Sequence, residues 1–167
     1  NNRRLLHGNL SPASLYVTRA LEVKVFGLEF LSDVGSLASS PFEQAVLVDP
    51  QCINDVYLPP NLKRYTERPT SVDSWSVAAL MCYVFGAVPQ SKAAVTTCSA
   101  IPLELASFFR TIAGQNPGDR APVSPFLSLP FVTQNRFLAV VNTVESFSTT
   151  DAYVRESFLK SLATQFD

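Results

Sequence analysis

Charge is scarce in this chain. Only 16% of its 167 residues are Asp, Glu, Lys or Arg, and the formal net charge is −1. There is no basic block able to grip a phosphate backbone through many Lys and Arg contacts, so charge does not favour a nucleic-acid partner. A polybasic membrane patch is absent for the same reason. Histidine is limited to His7, and cysteine to Cys52, Cys82 and Cys98, with no C-x-x-C pair among them. A zinc site needs about four close ligands, so no metal site is expected. The odd cysteine count fits a reducing, intracellular setting, and Cys82, inside an apolar run, reads as core. Long apolar runs are missing too: none reaches the roughly 20 residues that cross a bilayer. Asp and Glu are scattered, without the paired spacing that hydrolysis uses. The opening Asn1-Asn2-Arg3-Arg4 carries no methionine and reads as the cut edge of something longer, with any targeting signal upstream of it. Repeats and low-complexity segments are absent.

Apolar residues, by contrast, make up 47% of the chain, enough for a real core in one domain. Ser14 to Thr18 and Leu21 to Phe26 are short, apolar and valine-rich, and read as two strands joined by a tight connection. Residues 31 to 70 lack clean periodicity and hold five prolines. They read as a long ordered loop with one short helical or extended piece. Val72 to Phe85 is apolar on almost every side, with Ser71 as N-cap and Gly86 as stop, and a helix apolar all round belongs at the centre of a domain. Pro102 opens a helix running from Leu103 to Ala113, ended by Gly114. Asn116 to Pro130 is irregular and proline-rich. Gln134 to Phe147 has helical apolar spacing, and Asp151 caps a last helix to about Phe166.

Five landmarks stand in order along these elements. His7-Gly8-Asn9-Leu10-Ser11-Pro12-Ala13-Ser14 has the length and frame of H-R-D-L-x-x-x-N, with Gly8, Asn9 and Ser14 in place of its arginine, aspartate and asparagine. Phe26-Gly27-Leu28-Glu29 follows a strand, and Gly27 lies 18 residues after Asn9. Gly27 therefore stands at the aspartate of D-F-G; shifting the frame by one would put Val25 there, and the aspartate is missing either way. Tyr57-Leu58-Pro59-Pro60-Asn61 resembles Y-x-A-P-E. Val72-Asp73-Ser74-Trp75-Ser76-Val77 resembles V-D-x-W-S-x, and Asn116-Pro117-Gly118-Asp119-Arg120 resembles P-x-x-R. Together they resemble the C-lobe of a protein kinase. Gly27-Leu28-Glu29, Ile101-Pro102-Leu103-Glu104-Leu105 and the Asn-Pro-x-x-Arg run are similar to those of the SCY-like (SCYL) pseudokinase family. The resemblance spans residues 7 to 166, and residues 31 to 56 match nothing in it.

The resemblance implies a mainly α fold: a kinase-like C-lobe over residues 1 to 131, with a short β-hairpin at the catalytic loop and an all-apolar central helix. Residues 132 to 167 are then a helical extension leading toward HEAT-type repeats. It also assigns roles. Asn9 can orient a hydroxyl but cannot take its proton, and a general base contributes about 10²–10⁴ in rate. Gly27 and Ser14 lose both protein ligands to the metal ions, and Ser11 replaces a lysine at the transferring phosphate. Gly8 removes the arginine that receives an activation-segment phosphate. Asp73, Trp75, Arg120 and Asn61 are framework positions: Asp73 ties the central helix to the loop, Trp75 packs beneath it, and an Arg120–Asn61 hydrogen bond replaces an Arg–Glu ion pair. His7 reads as a packed structural histidine rather than a base.

No catalytic residue and no cofactor are expected, ATP and magnesium included. The expected function is a catalytically inactive kinase-like scaffold with protein partners, vesicle-coat components among them, in membrane traffic at the cytoplasmic face of the Golgi or endosomes. The alternatives are a residual ATP-binding or weakly active serine/threonine kinase, and an RNA-linked adaptor in tRNA export. The resemblance also places the helix before the loop, and the whole N-lobe, upstream of Asn1. Val72 to Phe85 should therefore be covered from outside or be bare on one face, and full burial by this chain alone would count against the placement.

Overall fold

The computed structural model describes residues 4–20, 22–36, 38, 40–48 and 53–163. It is mainly α-helical with two small antiparallel strand pairs, in keeping with a kinase-like C-lobe. The chain forms two compact units, Asn1–Ser124 and Pro125–Asp167.

The first unit opens with β1, Leu5–Leu6, which leads into the His7 loop and pairs with β4, Ser32–Asp33, in the register Leu5↔Asp33 and Leu6↔Ser32. Between them lies the hairpin of β2, Leu15–Val17, and β3, Val23–Val25, with Leu15 opposite Val25. Thr18 closes it, since its N–H donates to Glu22 O at 2.9 Å and its hydroxyl accepts from Glu22 N–H at 3.1 Å. The two strands expected from valine content are therefore present in shortened form, as β-branched residues on a pleated surface favour.

The described residues between 31 and 70 are more structured than their pattern predicts. They hold β4, the helix α1 at Pro41–Val48, and 3-10 turns at Asp55–Tyr57 and Leu62–Glu67. This segment builds a core of its own: Phe42, Ala45, Ile53, Leu58 and Tyr65 pack with Leu6 and Val72. The Phe42 and Tyr65 rings meet edge to face at 5.3 Å, the arrangement their quadrupoles favour.

The central helix, α2, spans Ser71–Val84. It begins one residue earlier than expected, and Ser71 is not its N-cap: Thr70 holds that position without a side-chain bond. The Ser71 hydroxyl instead accepts from Arg120 Nη1 at 3.3 Å. The expected stop holds. Gly86 has φ +86°, the Gly86 N–H donates to Tyr83 O at 3.1 Å, and the Ala87 N–H reaches Cys82 O at 2.9 Å, which together form a Schellman closure.

The expectation of outside cover or a bare face on α2 needs correction. Val72, Trp75, Ala78, Ala79 and Cys82 are fully buried by the chain itself, and Leu80 and Met81 nearly so. Only the last turn is open, with Tyr83 45% and Val84 69% exposed. The physical reason is the small residues on α2. Ser74, Ser76, Ala78 and Ala79 let α3 (Lys92–Thr96), α4 (Leu103–Ile112) and the 3-10 turns approach closely. Helix α4 contributes Leu105, Phe108, Phe109 and Ile112, an i, i+3, i+4, i+7 stripe.

In the second unit, α5 is Pro130–Thr133, α6 is Arg136–Glu145 and α7 is Ala152–Ala163. Asn135 Oδ1 caps α6 by accepting from Leu138 N–H at 3.1 Å, and Asp151 Oδ1 starts α7 by accepting from Tyr153 N–H at 2.8 Å. Phe147 and Phe158 meet edge to face at 5.5 Å. The expected end of α7 at Phe166 lies outside the described residues.

Candidate functional site

The His7–Ser14 loop runs from the end of β1 to the start of β2, with its backbone tied to α2. Asp73, in the first turn of α2, accepts from His7 N–H at 2.8 Å through Oδ2 and from Gly8 N–H at 3.0 Å through Oδ1. Burial raises the Asp73 pKa above the ordinary carboxylate value, and these two donors pull against that rise. The carboxylate is a fixed clamp on the loop.

His7 is occupied at both ring nitrogens. Nδ1 accepts from Asn9 N–H at 3.2 Å, so Nε2 carries the proton and donates to Phe26 O at 2.9 Å. No ring lone pair is left for proton abstraction. The imidazole instead joins the loop to the residue before Gly27.

The degenerate positions converge. A Cβ built on Gly27 would lie 3.3 Å from Ser14 Cβ, 3.4 Å from Asn9 Nδ2 and 3.7 Å from Glu29 Oε1. The pocket where the resemblance places base and metal ligands is thus formed by Asn9, Ser14 and Gly27, and each is inert or engaged. Asn9 Nδ2 donates to Glu29 Oε1 at 3.1 Å. The Ser14 hydroxyl donates to Ser11 O at 2.8 Å and accepts from Ser11 N–H at 2.9 Å, a closed local ring. Gly27 sits at φ +76°, the left-handed region that suits glycine. This donor set does not fit a magnesium–nucleotide: there is one carboxylate, already bonded to an amide, where a hard cation wants several oxygens. Among the described residues no group of three or more His, Cys, Asp or Glu side chains is placed to hold a metal ion.

Gly8 has a second reason to be glycine. Its φ is +75°, and a Cβ there would run into the Phe42 ring. The position that holds an arginine in H-R-D is closed by a buried phenylalanine from α1. Phe42 is the contributor to this site that sequence reasoning missed; Glu29 stood in the Gly27-Leu28-Glu29 landmark, but its bond to Asn9 was not foreseen. Phe42 lies in the stretch that matched nothing, and the one signal for it was the glycine opposite.

Arg120 is the hub beneath the site, 1% exposed. Nε donates to Gly114 O at 2.8 Å, Nη2 to Pro60 O and Gln115 O at 3.0 Å each, and Nη1 to Ser71 O at 3.4 Å and Ser71 Oγ at 3.3 Å. These acceptors use the guanidinium's full donor set. Its carbon lies 5.7 Å from the centroid of the fully buried Trp75 ring, whose Nε1 donates to Val56 O at 3.0 Å. The expected Arg120–Asn61 bond is not formed. Asn61, at φ +56°, turns its amide to Gln115 O at 3.4 Å and Asn116 Oδ1 at 3.1 Å. Carbonyls replace the anion because the Pro60 and Gln115 backbones reach the guanidinium directly. Burial lowers the Arg120 pKa to about 10, with Asp119 opposing.

No protein-family model matches the chain. Among curated proteins it is 24% identical, over 97% of its length, to a protein of Dictyostelium discoideum named "Probable inactive serine/threonine-protein kinase scy1". The similarity supports an SCY-like, kinase-like region. The chain spans about a fifth (20%) of that relative's length, so the SCY-like match is to one part of a larger protein. With the geometry above, the chain is pseudokinase-like: its mainly α fold is consistent with a kinase-like C-lobe, and the groups that would move a phosphoryl are replaced. No described helix is long and apolar enough to cross a membrane.

Proposed function

We propose that the chain serves as a non-catalytic protein-interaction scaffold, acting in intracellular membrane traffic with vesicle-coat components among its partners. One observation carries the scaffold reading: Asp73 and Arg120 tie the frame together where chemical groups are lost. Asp73 clamps His7 and Gly8, and Arg120 joins Ser71, Pro60, Gly114 and Gln115. Asn9, Ser14 and Gly27, by contrast, are bonded locally or carry no side chain. A fold preserved without its chemistry is available for binding. The trafficking part rests on the SCY-like similarity alone.

Proximity labelling with the full-length protein in intact cells tests this. Golgi or endosomal coat components should be labelled, equally by the wild type and by an Asn9→Ala variant. Labelling confined to nuclear tRNA-export proteins would replace the trafficking reading, and a pattern that collapses in Asn9→Ala would contradict the scaffold reading.

A further inference from the structure

We propose that the cleft between β1 and the N-terminal end of α2 is a docking site for an acidic peptide segment of a protein partner. The cleft holds about 680 Å³, within the range of roughly 300–1,000 Å³ typical of ligand pockets. It is formed entirely within the first unit, and neither Gly27 nor any residue from His7 to Ser14 lines it.

Its charge is set by which groups are already used. Two acids line it. Glu67 gives Oε1 to Arg64 Nε at 2.7 Å and Oε2 to Arg64 Nη2 at 3.0 Å. Asp73 gives both oxygens to the His7 and Gly8 amides. Two bases line it as well, and they are largely unspent. Arg68 donates from Nη1 to Gly118 O at 3.1 Å and has its other donors left over. Arg4 is exposed, and its guanidinium has no partner among the described residues. The cleft therefore offers free guanidinium donors and acids that are already satisfied, although the chain as a whole is slightly acidic. Such a site attracts carboxylates and rejects cations.

The remaining walls are mixed: Leu5, 49% exposed, Val34, Pro122 and Val123 give apolar surface, beside the hydroxyls of Thr70, Ser74 and Ser124. An inorganic anion would leave these surfaces wet. A segment with acidic residues beside apolar ones would satisfy both, its carboxylates forming forked bonds to guanidinium and its apolar side chains covering the walls. The choice of a protein partner rests on the scaffold reading. Phosphoryl transfer by the intact protein would defeat that reading and leave peptide affinity untouched, so the two fail separately.

The test is fluorescence anisotropy on the full-length protein with a short labelled peptide alternating glutamate and leucine. The glutamine version of the peptide should bind roughly tenfold more weakly, and Arg4→Glu should cost a similar factor. Because the Arg4 guanidinium has no partner among the described residues, that variant should keep its melting temperature, and Arg68→Gln gives an independent second loss. Equal affinity for the glutamine peptide, unchanged binding by Arg4→Glu, or no binding at all would overturn the proposal. Binding of a phosphoserine peptide with the glutamate peptide silent would overturn it too, in favour of a phosphate site.

Discussion

Gly8 holds φ +75° and faces the Phe42 ring, so any side chain there meets both backbone strain and a filled space. Gly8→Ala should destabilise the protein by about 2–5 kcal/mol, combining roughly 1–2 for the left-handed backbone with about 1–3 for overpacking. Thermal melting checks this, and an unchanged melting temperature would mean that Phe42 is not where the packing places it. Gly8→Arg should do at least as much damage, so reinstating the kinase residue does not reinstate a phosphate receiver. Asp73 gives a pH-dependent prediction. Its folded pKa lies above the unfolded value, so between the two the folded state holds more protons and stability falls as pH rises. The stability advantage of wild type over Asp73→Asn should therefore shrink as pH rises through the acid range, measured by chemical denaturation at a series of pH values. An advantage that grows with pH would mean that the His7 and Gly8 amides outweigh burial.

Among the elements, α2 and Arg120 act as one unit, since the guanidinium bonds the helix start, the Pro60 turn and the end of α4 together. Arg120→Ala leaves several buried acceptors unpaired and should cost about 3–5 kcal/mol. Arg120→Lys should recover little, because an ammonium has three donors and no fork. Melting of both variants checks this; full rescue by lysine would show that charge rather than geometry matters. The elements also show where the sequence was legible. Helix α2 was readable from an apolar run bounded by Gly86, α4 from Pro102 and Gly114 at its ends, and α6 and α7 from the spacing of their apolar residues. The hairpin was readable from its valines. Helix α1 was not, because Phe42 and Ala45 are buried by Leu6, Leu58 and Val72, which lie far from them in sequence. Local periodicity carries no trace of such partners. The Arg120–Asn61 bond failed for a related reason: motif spacing fixed which residues come near one another, but not which backbone carbonyls would reach the guanidinium first.

At the scale of the whole molecule, the first unit has the frame of a kinase C-lobe and a floor without reactive groups. In the segment that matched nothing in the resemblance, Phe42, Ala45 and Ile53 pack into a hydrophobic cluster with Leu6, Leu58, Tyr65 and Val72 from outside it. The loop positions recognisable in the sequence were His7, Asn9, Ser14 and Gly27; their convergence, and the engagement of Glu29 by Asn9, became visible only in three dimensions. The central claim is that this convergence no longer binds a metal–nucleotide. The most direct measurement is a thermal shift of the full-length protein with ATP, with and without magnesium. A ligand at about 100 times its Kd stabilises by about 2.7 kcal/mol, a shift of several degrees in a domain of this size. The account predicts no magnesium-dependent change in Tm at millimolar ATP. A magnesium-dependent rise of several degrees that Gly27→Ala or Glu29→Ala removes would contradict it.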